Sequence, residues 1–272
     1  MDLRREFLGV YTVWYREVLR FFTDKSRIFG SIAQPVLFLV VLGGGISSAI
    51  KGVMASGGPL GSAASALGGN FNYLAFLFPG ILGMSVLFTS IMSAISIVWD
   101  REFGFLKEVL VAPVSRTSVA IGKIAGGSTV AMAQGALILL LAPLVGIKLG
   151  ILEALGLLLI MLLLAAVMSS LGLLIASRQK TMEGFQVIMQ FVIMPMLFLS
   201  GAFFPLAQGA WVTLIARFIP VAYGVDALRQ TLLPAAVMVH FRIAPVGLEV
   251  LILCGFFVLF LVPAVVLFSR QD

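Results

Sequence analysis

Residues 151–176 read ILEALGLLLIMLLLAAVMSSLGLLIA. One charge, Glu153, stands near the start, and an unbroken apolar run follows. A helix of roughly twenty such residues crosses the hydrocarbon core of a bilayer. A lipid-facing barrel strand would instead alternate apolar and polar residues over about ten positions. Only helices and closed barrels satisfy their backbone groups inside hydrocarbon, so the run reads as a transmembrane helix. The rest of the chain agrees. Of its 272 residues, 61% are hydrophobic and 11% charged, and mean hydropathy is +1.13. A soluble domain carries about 25% charged residues, and so few charges cannot cover a water-facing surface.

Working outward, comparable runs predict spans over about 30–50, 73–98, 119–146, 185–204 and 247–268, which makes six in an all-α polytopic fold. Residues 1–29 precede them. Leu3, Phe7, Val10, Trp14, Val18 and Phe21 recur there at helical spacing with arginines on other faces, the pattern of a helix lying in the membrane interface against lipid. That apolar run beginning near Gly30 is too long for the core of a cleavable signal. Residues 51–70 are a Gly/Ala/Ser-rich loop, 100–118 a charged segment, and 177–183 a short polar loop. Residues 205–246, with Pro205, Pro220, Pro234 and Pro245, hold two short helical patterns and no complete span.

Six spans put both termini on one side. That side carries thirteen of the eighteen Lys and Arg residues and the other side five. Basic loops stay in the cytoplasm, so both termini are expected there, in the cell's inner membrane. The net charge of +6 is therefore a topology signal rather than a nucleic-acid surface. A single cysteine, Cys254, and a single histidine, His240, offer neither a disulfide nor a zinc cluster.

The segment 100–116 reads DREFGFLKEVLVAPVSR. Charges open it, a short amphipathic helix is expected over about 104–111, and Pro113 ends it. Such a helix suits a groove on a soluble partner, or an ordinary interfacial loop. In its order of Asp100-Arg101-Glu102, Gly104, Leu106, Val109, Leu110, Pro113 and Ser115-Arg116, it resembles the signature of ABC type-2 permeases, which export drugs, lipids and polysaccharides. FLSGAFFP at 198–205, and the order Pro220, Tyr223, Asp226, Ala227, Leu228, Arg229, are similar to two further motifs of that family. Daunorubicin-resistance permeases are the branch the chain resembles most.

The resemblance implies a pair of permease copies, a homodimer, over two ATP-binding subunits that hold ATP and Mg, with no cofactor in this chain. Glu102, Gly104, Phe105, Leu106, Val109, Leu110, Pro113 and Arg116 would form the coupling helix against the ATPase. Spans one, two and five would line the path, and residues 203–233 would form a re-entrant external hairpin with Phe203, Phe204, Pro220, Tyr223, Asp226 and Arg229. Asp226 and Arg229, three apart, share a helical face and are able to pair.

Polar residues inside spans mark either a cavity or interhelical packing. Ser85, Thr89, Ser93 and Ser96 fall on one face of the second span, and Gln186 and Gln190 are one turn apart on the fifth. Gly122 and Gly126 form a small-xxx-small pair. The chain lacks a G-x-x-x-x-G-K-[ST] phosphate loop: Gly122-Lys123 is followed by Ile124. An intramembrane enzyme would need clustered ionisable groups in the spans, and a secondary carrier an embedded acid or broken repeats. Neither pattern is visible, so the expected function is export of an amphipathic drug-like or lipid-like molecule, with a polysaccharide or lipid-linked glycan as the alternative cargo. Reporter fusions at Ser62 and at Asp272 should show opposite sidedness, and equal sidedness would defeat the six-span topology.

Overall fold

The computed structural model describes residues 3–55, 73–104, 115–203, 211–233 and 242–270. Among them the secondary structure is helical throughout, with no strand. The order is α1 (Leu3–Thr23), α2 (Lys25–Phe38), a π-helical turn (Leu39–Gly43), α3 (Gly44–Ala55), α4 (Tyr73–Ser93), α5 (Ile95–Glu102) and α6 (Arg116–Leu139). It continues with a 3-10 turn (Ala142–Val145), α7 (Ile151–Ala176), α8 (Met182–Leu199), α9 (Trp211–Ala216), α10 (Pro220–Leu232) and α11 (Val246–Ser269).

Five described helices are long and apolar enough to cross a membrane: Ile28–Ala49, Tyr73–Glu102, Ile151–Ala176, Met182–Leu199 and Val246–Ser269. The protein is an all-helical polytopic membrane protein. The remaining expected span, α6, has 24 residues and the necessary length, yet it carries Lys123, Gln134 and four glycines and falls short in apolarity. Its surroundings account for that composition. α6 packs against α1, α2, α4, α7 and α11, so protein rather than lipid solvates most of it. At either end of the chain, Glu6 lies against Ser115 and the Ser269 carbonyl against Arg116, which puts the described termini on one face of the bundle.

Two interruptions shape the spans. In the second, the ladder breaks at Ala94, between α4 and α5. Ser93 Oγ donates to Ser90 O at 2.7 Å and Ser96 Oγ to Ser93 O at 2.9 Å, and hydroxyls that draw on backbone carbonyls bend helices. In the first, Pro35 has no N–H to give the carbonyl of Ser31, four residues earlier. Gln134 of α6 supplies the missing donor, its Nε2 lying 2.8 Å from Ser31 O. A freed carbonyl at membrane depth needs such a replacement.

α1 runs beside α6 in the same direction. Val10 and Val13 lie over Gly122, and Trp14 and Glu17 over Gly126. A Cβ on Gly126 would come within 2.7 Å of Glu17 Cβ, and one on Gly122 within 2.9 Å of the Val10 carbonyl. The small pair is thus a seat for α1 within the subunit. The outward face of α1 keeps Leu3, Phe7, Tyr11 and Tyr15 exposed. Gly126→Leu should unseat α1 and cost about 1–3 kcal/mol, the usual penalty of overpacking. A lowered melting temperature in detergent would report it, with Gly30→Ala, which meets nothing within 4 Å, as the silent control.

Candidate functional site

Three of the expected path residues sit on the second span, and the bundle separates them. Ser85 and Thr89 border a cavity of about 220 Å³ between α2, α4 and α6. Its polar edge is built by Gln134, which accepts a hydrogen bond from Thr89 Oγ1 and donates to Ser31 O. Gln34 adds a further amide, while Phe38, Met84 and Phe88 supply an apolar wall. One side chain of α6 therefore fixes the first span to the second and faces the cavity between them. Ser93 lies elsewhere: its hydroxyl serves the bend at Ala94 and packs on Gly127, where a Cβ would overlap it. Gln186 and Gln190 stand on the exposed face of α8, outside this cavity. Gln134 is the residue that sequence reasoning passed over, although a glutamine in mid-span carries the same signal as those two.

At the terminal face, four charges from three elements meet around Lys123. Its Nζ lies 2.6 Å from Glu17 Oε1, 3.5 Å from Asp100 Oδ2 and 2.8 Å from Ser96 Oγ. Arg16 adds a second cation, 3.3 Å from Asp100 Oδ2. Lys123 and Glu17 are each 7% exposed, so the pair is shielded from solvent. Two cations face two carboxylates, which lets them be buried together.

The same face holds both ends of the segment 100–118, where the coupling helix is expected. Phe105, Leu106, Val109, Leu110 and Pro113 lie outside the described residues. At the near end Arg101 donates to the carbonyls of Ala176, Ser177 and Gln179 past the end of α7. Glu102 Oε2 accepts the Met182 N–H at 2.8 Å and so caps α8, which occupies the carboxylate expected to meet a partner. Gly104 has φ +81°, a left-handed turn that suits glycine. At the far end Ser115 caps α6, its Oγ accepting Ser118 N–H at 3.1 Å. Glu6 of α1 accepts from the hydroxyls of Ser115 and Ser118 and from Ser115 N–H. Those hydrogen bonds, Ser115 first, hold its carboxyl below the ordinary value of 4.5. Arg116 Nη1 lies 3.3 Å from the Ser269 carbonyl. Each end of the segment is thus tied to several helices of the bundle.

At the opposite face, α10 is buried from Pro220 to Arg229 and packs on α4, α7 and α11. Thirteen residues are too few to cross a bilayer. Asp226 and Arg229 share a face there without forming the expected ion pair. Arg229 Nη2 donates instead to Gly201 O at 2.9 Å, and its guanidinium lies 3.9 Å from the centre of the Phe76 ring. Carbonyls exposed by the turn after α8, where Gly201 has φ +74°, outcompete the carboxylate. Asp226 Oδ2 accepts Ile243 N–H at 2.6 Å. Tyr73 OH holds the same turn through Phe203 O at 3.0 Å, and Tyr223 OH donates to Arg217 O at 2.9 Å. Gly80 makes room, since a Cβ there would overlap the Ala202 carbonyl. Phe204 and His240 lie outside the described residues.

Comparison with known proteins follows this geometry. The model of the family described as ABC-2 type transporter matches residues 9–233. Nodulation protein J of Rhizobium leguminosarum bv. viciae is 29% identical over 266 residues, which covers 96% of this chain and 91% of that protein. Nodulation protein J of Rhizobium meliloti (strain 1021) is 27% identical over 250 residues, 90% and 84% of the two chains. The inner membrane transport permease YadH of Escherichia coli (strain K12) is 24% identical over 230 residues, 82% of each.

A double-variant test addresses the ion cluster. Lys123→Met removes the short, buried partner of Glu17, leaving it only the half-exposed Arg16 at 3.7 Å, and should cost up to about 3–5 kcal/mol. Adding Glu17→Leu should restore most of that stability, because Asp100 keeps Arg16. Thermal unfolding of the single and double variants gives the coupling, and equal losses in both would show that the pair does not hold α1 to α6.

Proposed function

Since this chain belongs to the ABC-2 type transporter family and is a transport permease of that kind, we propose that it exports an amphipathic, drug-like or lipid-like molecule. The observation that carries the proposal is the cavity between α2, α4 and α6, where a Gln134–Thr89–Ser85 edge faces Phe38, Met84 and Phe88. An amphipathic cargo needs one polar edge and one apolar wall. At about 220 Å³ the cavity is smaller than the roughly 300–1,000 Å³ of a drug-sized site. A second permease copy would complete the path along α2 and α8, whose outward faces leave Phe29, Leu37, Phe191 and Phe198 exposed.

An ABC transporter draws its energy from an ATP-binding partner subunit. In this reading two such subunits hold ATP and Mg and meet the terminal face, and the chain itself carries no cofactor. Residues 100–118 are the docking segment, with Glu102 and Arg101 fixing its near end and Glu6 and Ser115 its far end. Movement of the docked segment would pass through Lys123 and Glu17 into α6, and through Gln134 to the cavity. The terminal face is the cytoplasmic one in the inner cell membrane, in line with its arginines and lysines. α6 makes the sixth crossing, α1 runs alongside it rather than flat in the interface, with its outward aromatics in lipid, and α10 caps the outer end as a re-entrant helix.

Burying one apolar side chain contributes roughly 1.5–3 kcal/mol, and about 1.4 kcal/mol is tenfold in affinity. Leu106→Asp with Leu110→Asp should therefore weaken co-purification with the ATP-binding subunit at least tenfold, with the bundle still inserted. Ser85→Trp fills the cavity, so export and substrate-stimulated ATP hydrolysis should fall while co-purification persists. Full export by Ser85→Trp would remove the cavity from the path, and normal co-purification of the double variant would remove the docking role.

A further inference from the structure

Glu249 sits in the first turn of α11 and is fully buried, and Asp226 on α10 is 2% exposed. Gln230 joins them. Its Nε2 lies 3.3 Å from Asp226 Oδ2, 3.1 Å from Glu249 Oε2 and 2.7 Å from the Ala244 carbonyl. An amide nitrogen carries two hydrogens, so these three acceptors cannot all be served by it. Two more acceptors are unserved: Asp226 Oδ1 and Glu249 Oε1 are buried and accept no hydrogen bond. The two carboxyl groups are within hydrogen-bond reach of each other.

The surrounding elements do not make up the deficit. Arg229 of α10 is engaged with the Gly201 carbonyl and the Phe76 ring. Tyr223 of α10 donates to Arg217 O, and Tyr73 of α4 to Phe203 O. Glu153 of α7 accepts the Gly150 N–H at 3.1 Å, and Arg242 is exposed. Asp226 gains one donor, the Ile243 N–H, and Glu249 one, the Ala244 N–H, which still leaves an oxygen of each acid without a partner. Two carboxylates bridged by one amide, with orphaned oxygens and no salt-bridged cation among the described residues, lack one positively charged donor.

We propose that Asp226 and Glu249 form a proton-binding site that holds a single proton between them and thereby locks α10 onto α11. The balance is simple: one carboxyl is neutral and donates through its O–H, and the other is a carboxylate that accepts. The pair then bears one negative charge, and Arg229, buried on the same helix, offsets it at longer range. Raising the pH removes the proton and leaves two buried carboxylates facing each other, which pushes α10 away from α11. The site is independent of the cargo and of the ATPase, because it rests only on the geometry of α10 and α11.

The test uses the full chain in lipid nanodiscs. Infrared spectroscopy at neutral pH should show a protonated-carboxyl C=O band that shifts in heavy water and is lost in Glu249→Gln. Melting temperature of the native chain should fall from neutral to alkaline pH, and Glu249→Gln, whose amide is a fixed donor, should flatten that fall. Asp226→Asn serves the same purpose if Glu249→Gln does not fold. An absent band, or a band and a pH profile unchanged in either variant, would overturn the proposal. So would stabilisation by sodium over choline without a carboxyl band, which would assign the site to a metal cation.

Discussion

α6 is the helix whose packing the other features depend on. Four glycines let its neighbours approach: Gly122 and Gly126 receive α1, Gly127 receives Ser93 of α4 and Ser169 of α7, and Gly135 receives Met161 of α7. Helices in lipid gain little from the hydrophobic effect between them, so close backbone approach and polar contacts hold them together. The small residues that permit the approach also lower the hydropathy of α6 below that of the lipid-exposed spans. Its polar side chains are the other half of the arrangement. Lys123 gathers Glu17, Ser96 and Asp100, Thr129 Oγ1 accepts the indole N–H of Trp14 at 3.0 Å, and Gln134 joins the first span to the second. The ion cluster and the cavity thus hang on one rigid element, eleven residues or about 16 Å apart along its axis.

The proline in the first span shows why this coupling is specific. A helix that loses the hydrogen bond to Ser31 O would leave a bare carbonyl in the membrane. Gln134 is the donor that repairs it, so the break in one helix selects a partner on another. The π-helical turn Leu39–Gly43 lies one turn further along, beside Leu74 of the second span. Irregularity in the first span is therefore concentrated where it borders the cavity and the second span. α7 has no internal proline, stays helical without interruption from Ile151 to Ala176, and is buried over most of its second half.

Much of this fold was legible in the chain itself. Continuous apolar runs such as 151–176 and 247–268 name their helices directly, because length and hydropathy are local properties. Chain-level motifs located the family. Side-chain partners were harder to read. Lys123 and Glu17 are 106 residues apart, and no spacing rule joins residues on different helices. The i, i+3 rule pointed Arg229 at Asp226, yet it describes an isolated helix in water. In the bundle, the turn at Gly201 offered carbonyls nearer the guanidinium, and Phe76 offered its ring face. The glutamines on α8 and Gln134 on α6 look alike in sequence and differ in what their helix faces meet.

The two faces of the bundle solve the burial of charge in different ways. At the terminal face, Arg16 and Lys123 match Glu17 and Asp100, and the cluster is closed by direct ion pairs. It joins α1, α5 and α6, so relative movement of those helices has to separate paired charges. At the opposite face, Arg229 is spent on carbonyls, and the acids Asp226 and Glu249 are bridged by an amide. A neutral bridge leaves the charge of that pair adjustable. The terminal face is thus held by matched charges, and the opposite face by polar contacts around two acids that share one amide donor.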